Sequence, residues 1–298
     1  MKIVGLITEY NPFHNGHLHH IQEALRVTGA DTAIAVMSGD YVQRGVPAIM
    51  PKRLRAEMAL KCGVAAVFEL PVCYASGSAE YFAMGAVSLL DKLGVVDSIC
   101  FGSECSNLEA LSRIADLLLI EPGEYRTLLK KHLRDGLSYP AARMRAISEY
   151  LCDPGISSIL SDPNNILGIE YLKALKRLNS PIHPFTIQRA GAGYHDRELS
   201  KDHLSSASAI RSLLAYSGSA LQTDHTGGTF EDSSFSGILN ELEDQVPPCC
   251  LELLKDCRRV SYPVYQNDFS LLLKYKLLNK RPEHLLRYMD VSEELANR

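Results

Sequence analysis

The 298-residue sequence lacks several features that define common protein classes. No apolar run approaches the roughly 18 residues that a membrane-spanning helix needs, so we expect no integral membrane protein. The N-terminus shows no cleavable signal pattern and instead predicts a strand that begins at once. Hydrophobic residues make up 46% and charged residues 22% of the chain, which is not the composition of a disordered protein. These absences favour a folded cytoplasmic protein.

The eight cysteines do not follow the spacing of a metal or disulfide motif. The tightest pairs, Cys100/Cys105 and Cys249/Cys250, lack zinc-ribbon spacing. The chain is also too long for a small disulfide-stapled secreted domain. We therefore expect reduced thiols and no metal site.

The net charge of −4 does not by itself indicate nucleic acid, but basic residues concentrate in two segments. Such stretches can form a local phosphate-binding face, and a solvated helix surface is an equally good alternative. The first segment contains Arg126, Lys130, Lys131, Arg134, Arg143 and Arg145, and the second contains Lys274, Lys276, Lys280, Arg281 and Arg287.

Strand and helix signals alternate in the N-terminal two-thirds, which predicts an α/β fold with a parallel sheet. Gly102 is expected to end the fourth strand. We predict a helical insertion at about 104–163 inside a catalytic domain of residues 1–216, followed by a linker and a helical C-terminal region over 217–298. Residues 217–236 have the composition of an exposed connection. The predicted strands are 2–7, 32–37, 65–70, 98–101 and 183–188, and the predicted core helices are 16–28, 51–62, 78–93, 165–178 and 206–215.

The strongest functional signal is the segment TEYNPFHNGH (8–17), where the first strand meets the first helix. Open α/β sheets bind ligands at this crevice, and a helix N-terminus offers unpaired N–H groups to phosphate. His14 and His17 are predicted to face the same phosphates and to stabilise charge on a pentacoordinate α-phosphate. Gly16 permits close approach. The alternative is a helix start with histidines and no ligand.

Four histidines in seven positions also raise the question of zinc. No nearby cysteine or carboxylate completes the usual geometry, so we predict no metal there. For His19 and His20 we expect one ring to face solvent and the other to be packed.

A second candidate is the segment SASAIR (206–211) at the start of a late helix. Ser208 and the helix N-terminus can bind phosphate, and Arg211 adds a planar charged group. The alternative is a serine-capped helix with a surface arginine. Together the two motifs predict two walls of a nucleoside triphosphate site.

With further segments, these motifs resemble a known family. The histidine motif and the late SxSxIR helix resemble the HIGH-motif nucleotidyltransferase superfamily, whose members join the α-phosphate of ATP to an acceptor and release pyrophosphate. The segments GLITEYNPFHNGHLHHI, VMSGDYVQRGVPAI, CFGSE, PNNILGIEYLKAL and IQRAGAGYHD, which span 5–196, resemble the bacterial tRNA(Met) cytidine acetate ligase family. The implied fold is a Rossmann-like parallel sheet with a helical insertion and a helical C-terminal region.

The resemblance implies a ligase that makes acetyl-adenylate from ATP and acetate and then acetylates N4 of the wobble cytidine of elongator tRNA(Met). The predicted catalytic residues are His14, His17, Ser208 and Arg211, with no side-chain nucleophile. Whether Mg²⁺ takes part is left open. The implied ATP-site residues are Ile7, Thr8, Glu9, Tyr10, Asn11, Pro12, Phe13, His14, Asn15, Gly16, His17, Leu18, His19, His20, Gly102, Asn164, Arg189 and Ala190.

Some of these residues have a specific expected role. Gly102 should leave room for a base or ribose, Asn164 should bind an adenine edge or ribose hydroxyl, and Arg189 should reach phosphate or the base. For Asn164, a helix N-cap is the alternative. Asp40 is a candidate to orient the acyl acceptor, or else it caps a structured loop. The residues expected to contact RNA are Gln43, Arg44, Lys130, Lys131 and Arg134, with Lys52, Arg53 and Arg55 adding positive charge near the site.

Two alternatives to the ligase are kept. A small-molecule adenylyltransferase of cofactor synthesis would share both nucleotide walls but would not need the basic insertion. A nucleotide- and RNA-binding protein without turnover is the other. Members of the resembled family usually run well beyond 298 residues, which affects the expected tRNA binding more than the ATP chemistry.

Overall fold

The computed structural model describes residues 1–189, 205–219, 233–257, 263–288 and 291–296. The strands are β1 (Ile3–Thr8), β2 (Thr32–Ser38), β3 (Val64–Leu70), β4 (Ser98–Ser103) and β5 (His183–Gln188). The helices up to β5 are α1 (Asn15–Thr28), α2 (Lys52–Lys61), α3 (Val72–Ala75), α4 (Ala79–Leu93), α5 (Leu108–Ile120), α6 (Gly123–Arg134), α7 (Tyr139–Leu151), α8 (Ile156–Ile159) and α9 (Pro163–Leu178). After β5 come α10 (Ala207–Ser219), α11 (Ser233–Leu242), α12 (Pro248–Asp256), α13 (Ser270–Leu278), α14 (Pro282–Leu285) and α15 (Glu293–Ala296), and 3₁₀ turns cover Gln43–Gly45 and Gln266–Phe269.

The five strands form one parallel sheet in the order β3-β2-β1-β4-β5. The chain moves outward from β1 through β2 to β3, and then returns to the other side of β1 for β4 and β5. The strand order therefore reverses between β1 and β4, and open α/β sheets bind ligands outside the carboxyl ends of the strands at such a reversal. This is the fold class that the sequence predicts.

Both faces of the sheet are covered, as the alternating side chains of β2 show. Ile34 and Val36 join an apolar cluster with residues of α4, α5 and α9. Ala33, Ala35 and Met37 join a second cluster on the opposite face, with residues of α1, α2, α10, α11 and α12. The near-continuous apolar character of the strands follows from this double burial.

Helix α9 packs closely on β4. A Cβ atom on Gly168 would lie 2.6 Å from the ring of Phe101, so a larger residue would push α9 away from the strand. This contact holds the start of α9 next to the carboxyl end of β4.

Several element boundaries differ from the sequence-based ones. Strand β4 continues through Gly102 to Ser103, because Gly102 pairs with Ile187 of β5. Helix α9 begins at Pro163 rather than at Asn165. The expected connection over 217–236 overlaps the end of α10 and the start of α11, and its central part, 220–232, lies outside the described residues.

The insertion between β4 and β5 is helical as predicted, with α5–α8 followed by α9. By compactness the chain divides into Met1–Pro263 and Val264–Arg298, and the second unit holds α13, α14 and α15. The division at residue 216 stays a prediction. Among the described residues, none of the helices combines the length and apolar character that crossing a bilayer requires.

Candidate active site

A cavity of about 550 Å³ lies at the carboxyl edge of the sheet, beside the ends of β1 and β4. This volume is within the usual range for small-molecule sites. The ends of β1, β4 and β5, the segments after β1 and β5, and the starts of α1, α4, α9 and α10 form its walls. The predicted residues that line it are Ile7, Thr8, Glu9, Tyr10, Asn11, His14, Gly16, His17, His19, His20, Gln43, Gly102, Asn164, Arg189 and Arg211.

The two histidines of the motif form one wall of this cavity, which we call the histidine wall (His14–His17). Their ring centroids are 3.8 Å apart. Nδ1 of His14 accepts a hydrogen bond from the Gly16 N–H at 3.0 Å, and Nδ1 of His17 accepts one from the His14 N–H at 3.3 Å. Since each Nδ1 is an acceptor, a neutral ring carries its proton on Nε2. A Cβ at position 16 would lie 2.8 Å from the His14 ring, so a larger residue there would displace that ring.

Both rings are neutral at physiological pH. Burial lowers the pKa of His14 to about 3, helped by the positive charges of Arg189 and Arg211. Burial also lowers the pKa of His17 well below its ordinary value, with further contributions from His14, His20 and Arg189. The histidine wall therefore offers two fixed Nε2–H donors rather than two positive charges.

The N–H groups at the start of α1 are not free to bind phosphate, contrary to the prediction. The Asn15 N–H donates to the Gln245 carbonyl at 2.9 Å, and the His17 N–H donates to the His14 carbonyl at 2.9 Å. The Gly16 N–H donates to His14 Nδ1. The expectation of unpaired N–H groups that cradle phosphate is therefore wrong at these positions, because the chain's own acceptors satisfy them.

Arg211 of α10 also lines the cavity, and it holds the loop before α1 in place. Its Nη1 donates to the Asn11 carbonyl at 2.6 Å, and its Nη2 donates to Ser208 Oγ at 3.0 Å. Ser208 does not line the cavity and orients Arg211 instead. Ser206 Oγ accepts the Ala209 N–H at 3.1 Å, so the serine cap coexists with the site.

Two further lining residues, Asn164 and Arg189, are positioned by Glu104, directly after β4. We call Glu104, Asn164, Asn165 and Arg189 the carboxylate wall, in which Glu104 and Asn165 support the lining without belonging to it. Glu104 Oε1 accepts from Asn164 Nδ2 at 2.6 Å and lies 3.8 Å from Nη1 of Arg189. Its Oε2 accepts from the Asn165 N–H at 3.0 Å. In return, buried Asn165 accepts the N–H groups of Glu104 and Cys105 through Oδ1. One carboxylate thus joins the ends of β4 and β5 to α9.

The remaining surface of the cavity is largely apolar and can take a planar base. A Cβ on Gly102 would meet no protein atom within 4 Å, so this glycine keeps volume open for a ligand. Asn164 is not the N-cap of α9, because Asp162 occupies that position. The apolar lining side chains include Phe82, Phe101, Ile166, Leu167 and Tyr171.

Some predicted ATP-site residues do not line the cavity. Phe13 is fully buried and packs on Tyr10 with ring centroids 4.8 Å apart, so its role is to support the loop. Asn15 donates through Nδ2 to the Asp244 carbonyl at 2.8 Å, which is a structural contact. Pro12 and Leu18 are likewise absent from the lining, and Ala190 lies outside the described residues.

His19 and His20 both line the cavity and both are partly exposed, and the expectation that one ring faces solvent while the other is packed stays a prediction. Burial lowers the pKa of His20 to about 4. Its Nε2 is buried, and no hydrogen-bond partner for it is found among the described residues.

The loop after β2 contributes less to the cavity than predicted. Gln43 lines it, and the Gln43 N–H donates to Glu9 Oε1 at 2.9 Å. Asp40 Oδ1 accepts the Lys52 N–H at 2.8 Å, which is the structured-loop alternative. The Arg44 side chain lies outside the described part of the structure.

Arg55 does not contribute to the expected patch of positive charge near the site. It is fully buried rather than exposed to RNA. It donates hydrogen bonds to the carbonyls of Met50, Glu9 and Gly39, so it ties the loops after β1 and β2 together. Lys52 is also engaged, because its Nζ lies 2.6 Å from a Glu69 carboxylate oxygen.

The cations of the insertion that are expected to contact RNA lie on the exposed surface of α6, whereas Arg143 and Arg145 belong to α7. Lys130, Lys131 and Arg134 do not line the cavity. Lys131 Nζ is 3.6 Å from a Glu149 oxygen, an exposed pair of small energetic weight.

Sequence reasoning missed Glu104, Asn165 and Gln245. Glu104 and Asn165 stand inside the quoted segments CFGSE and PNNILG, and a carboxylate directly after a buried strand was a usable signal. Gln245 had no such signal. Its carbonyl accepts the Asn15 N–H, 230 residues away in sequence, and its side chain accepts the Ser205 N–H, 40 residues away.

Comparisons with known proteins agree with this architecture. The family model described as HIGH Nucleotidyl Transferase matches residues 1–298. The tRNA(Met) cytidine acetate ligase of Alkaliphilus metalliredigens is 42% identical, and the alignment covers all of this chain and 68% of the relative. The ligase of the same name from Thermoanaerobacter sp. is 45% identical, with 100% and 69% coverage.

Two solved structures are also similar. The apo crystal structure of Thermotoga maritima TmcAL has a TM-score of 0.87 at 36% identity, and the match covers all of this chain and 66% of that one. TmcAL bound with alpha-thio ATP has a TM-score of 0.83 at 35% identity. The chain spans about two-thirds of the length of these relatives. With a family model that matches all 298 residues and ligases 42–45% identical to it, the chain belongs to the tRNA(Met) cytidine acetate ligase family of HIGH nucleotidyl transferases.

Proposed function

We propose that this chain binds ATP in the cavity, converts acetate to acetyl-adenylate, and acetylates N4 of the wobble cytidine of elongator tRNA(Met). The observation that carries the proposal is the convergence of His14, His17, Arg189 and Arg211 on one cavity at the strand-order reversal. Two neutral N–H donors and two guanidinium groups suit a triphosphate that gains charge during displacement.

The chemistry requires no side-chain nucleophile. An acetate oxygen attacks the α-phosphorus, a P–O bond to the β-phosphate breaks, and pyrophosphate leaves. The cytidine amine then attacks the acetyl carbonyl, AMP leaves, and the amine loses a proton. The chain's own part is to orient the triphosphate and to stabilise developing oxyanion charge through Nε2–H of His14 and His17.

The RNA substrate would approach from the open side of the cavity. Gln43 lies at the cavity, and the exposed cations of α6 can contact phosphates of a bound tRNA. The relatives named tRNA(Met) cytidine acetate ligase support this assignment of the substrate. Such a substrate places the reaction in the cytoplasm.

A small-molecule adenylyltransferase would use the same two walls. It is the less favoured function, because the curated relatives that match the whole chain carry the ligase name. A nucleotide binder without turnover would not require the fixed Nε2–H donors of the histidine wall.

The test is acetate-dependent formation of AMP and pyrophosphate from ATP, with and without Mg²⁺ and elongator tRNA(Met), followed by mass spectrometry of the digested tRNA. We expect turnover that requires acetate, and N4-acetylcytidine at the wobble position. Turnover with a nucleotide or pantetheine acceptor but not with acetate would contradict the proposal. The His183→Ala variant, which changes an exposed histidine at the start of β5, is the matched control for histidine substitutions.

A further inference from the structure

Three cysteines from two distant parts of the sequence meet where the end of α2 contacts the start of α12. Cys62 follows the last residue of α2, and Cys249 and Cys250 are the second and third residues of α12. Cys250 is buried, while Cys62 and Cys249 are partly exposed. None of the three lines the ATP cavity, so the proposed ligase chemistry does not account for them.

The distances between these sulfur atoms fit a shared cation. Sγ of Cys62 lies 3.8 Å from Sγ of Cys249 and 3.6 Å from Sγ of Cys250, and all three lie within 4.8 Å of one another. Tetrahedral Zn²⁺ with Zn–S bonds of about 2.3 Å places its sulfur ligands about 3.8 Å apart. A disulfide would need a separation of about 2.05 Å.

Three thiolates at these separations would repel one another, and a cation bound between them removes that cost.

We propose that Cys62, Cys249 and Cys250 bind one thiophilic cation, Zn²⁺ or Cu⁺, through their three Sγ atoms. Thiolates select such soft ions over Mg²⁺ or Ca²⁺, which take oxygen ligands. In the described part of the chain these sulfurs are the one group of three or more metal-ligating side chains brought this close together. The partly exposed side leaves a position for water on Zn²⁺, whereas Cu⁺ accepts three sulfurs alone.

The cation would fasten α12 to α2, and through α12 it would act on the walls of the cavity. Gln245, three residues before α12, accepts the Asn15 N–H at 2.9 Å through its carbonyl and the Ser205 N–H at 3.0 Å through its side chain. Asn15 begins α1, and Ser205 precedes α10. A clamp at Cys249 and Cys250 therefore restrains the short segment that joins the starts of these two helices.

The spacing of the cysteines does not indicate this site. Cys62 is 187 residues from Cys249, and adjacent cysteines are unlike the two- to four-residue separations of zinc motifs. Only the packing of α12 on α2 brings the sulfurs together.

The test uses the 298-residue chain, reduced and stripped of metal. Zn²⁺ and Cu⁺ are titrated separately against chromophoric chelators, and Co²⁺ reports thiolate ligation through its charge-transfer absorption. We expect one equivalent of Zn²⁺ or Cu⁺, a rise in Tm on binding, and at least a hundredfold loss of affinity in Cys62→Ser and Cys249→Ser. Cys73→Ser and Cys152→Ser, which change exposed cysteines elsewhere, should leave affinity unchanged.

Two results would overturn the proposal. One is a reduced protein that takes up neither ion in competition with the chelators. The other is binding that persists undiminished in both Cys62→Ser and Cys249→Ser, with circular dichroism showing both folded. Neither readout depends on acetate, ATP or tRNA, so failure here is distinguishable from failure of the ligase proposal.

Discussion

The two walls of the ATP cavity are held by different kinds of contact. On the histidine wall, His14 and His17 are fixed by hydrogen bonds to backbone groups two and three residues away. On the carboxylate wall, Glu104 is bonded to Asn164 and Asn165, 60 and 61 residues away, and pairs with Arg189. One wall is therefore built by local sequence and the other by the tertiary fold.

This difference has a functional consequence. The histidine wall presents rigid donors whose direction depends on few other residues, which suits transition-state stabilisation. The carboxylate wall depends on one acidic side chain to position an amide and a guanidinium, which suits ligand binding. Substitutions in the first wall should act mainly on kcat, and those in the second mainly on KM for ATP.

We expect the largest effect for His17→Ala. If this substitution changed ATP binding instead of kcat, the proposed difference between the two walls would be wrong. Loss of one preorganised donor should lower kcat for acetate-dependent AMP formation by about 10²–10³-fold. The KM for ATP should change little. Steady-state kinetics beside His183→Ala check this, and a His17→Ala enzyme with normal kcat would remove the proposed role of the donor.

A smaller effect is expected for Glu104→Gln, which keeps the size of the side chain and removes its charge. The pairing with Arg189 and the strength of the hydrogen bond from Asn164 should fall, raising KM for ATP about tenfold. Glu109→Gln, in the exposed first turn of α5, is the matched control. A fall in kcat at constant KM would show that the two walls do not differ as described.

Lowering the pH should lower the free energy of unfolding, because the buried histidines of the cavity resist protonation. His14 and His20 have a folded pKa of about 3 and 4, below the ordinary value near 6.5. At pH values between these folded pKa values and 6.5, the unfolded chain binds more protons than the folded chain. The free energy of unfolding should therefore fall as the pH drops from about 6.5. Urea denaturation at pH 7.5, 6.5 and 5.5 measures this. In His20→Gln the decline should be shallower, and an unchanged slope there would count against burial as its cause.

The smallest effect is expected outside both walls. Replacing Lys130, Lys131 and Arg134 by alanine should lower kcat/KM for tRNA acetylation a few-fold and weaken its salt dependence. Acetate-dependent AMP formation without tRNA should not change. A variant with Lys2, Lys61 and Lys92 replaced by alanine removes the same charge elsewhere. Equal losses in both variants would mean that α6 is only a solvated surface.

The contrast between local and tertiary contacts also explains how much of the fold and of the site could be predicted from the sequence. Alternating strand and helix signals were enough for the parallel sheet, and the short spacing of His14, Gly16 and His17 was enough for the histidine wall. Glu104 was not chosen because its role depends on partners about 60 residues away, although its place directly after a buried strand was a usable signal. Arg55 was misassigned because a charged residue on a helix is usually exposed, whereas here backbone carbonyls surround it.

The burial of Arg55 has an implication for redesign. Its described hydrogen bonds end on carbonyl oxygens of Met50, Glu9 and Gly39, and every residue type supplies a carbonyl. The course of the loops after β1 and β2 is thus insensitive to which side chains they display. The side chain of Gln43, which lines the cavity, can therefore be substituted while the Arg55 guanidinium keeps the backbone of these loops in place.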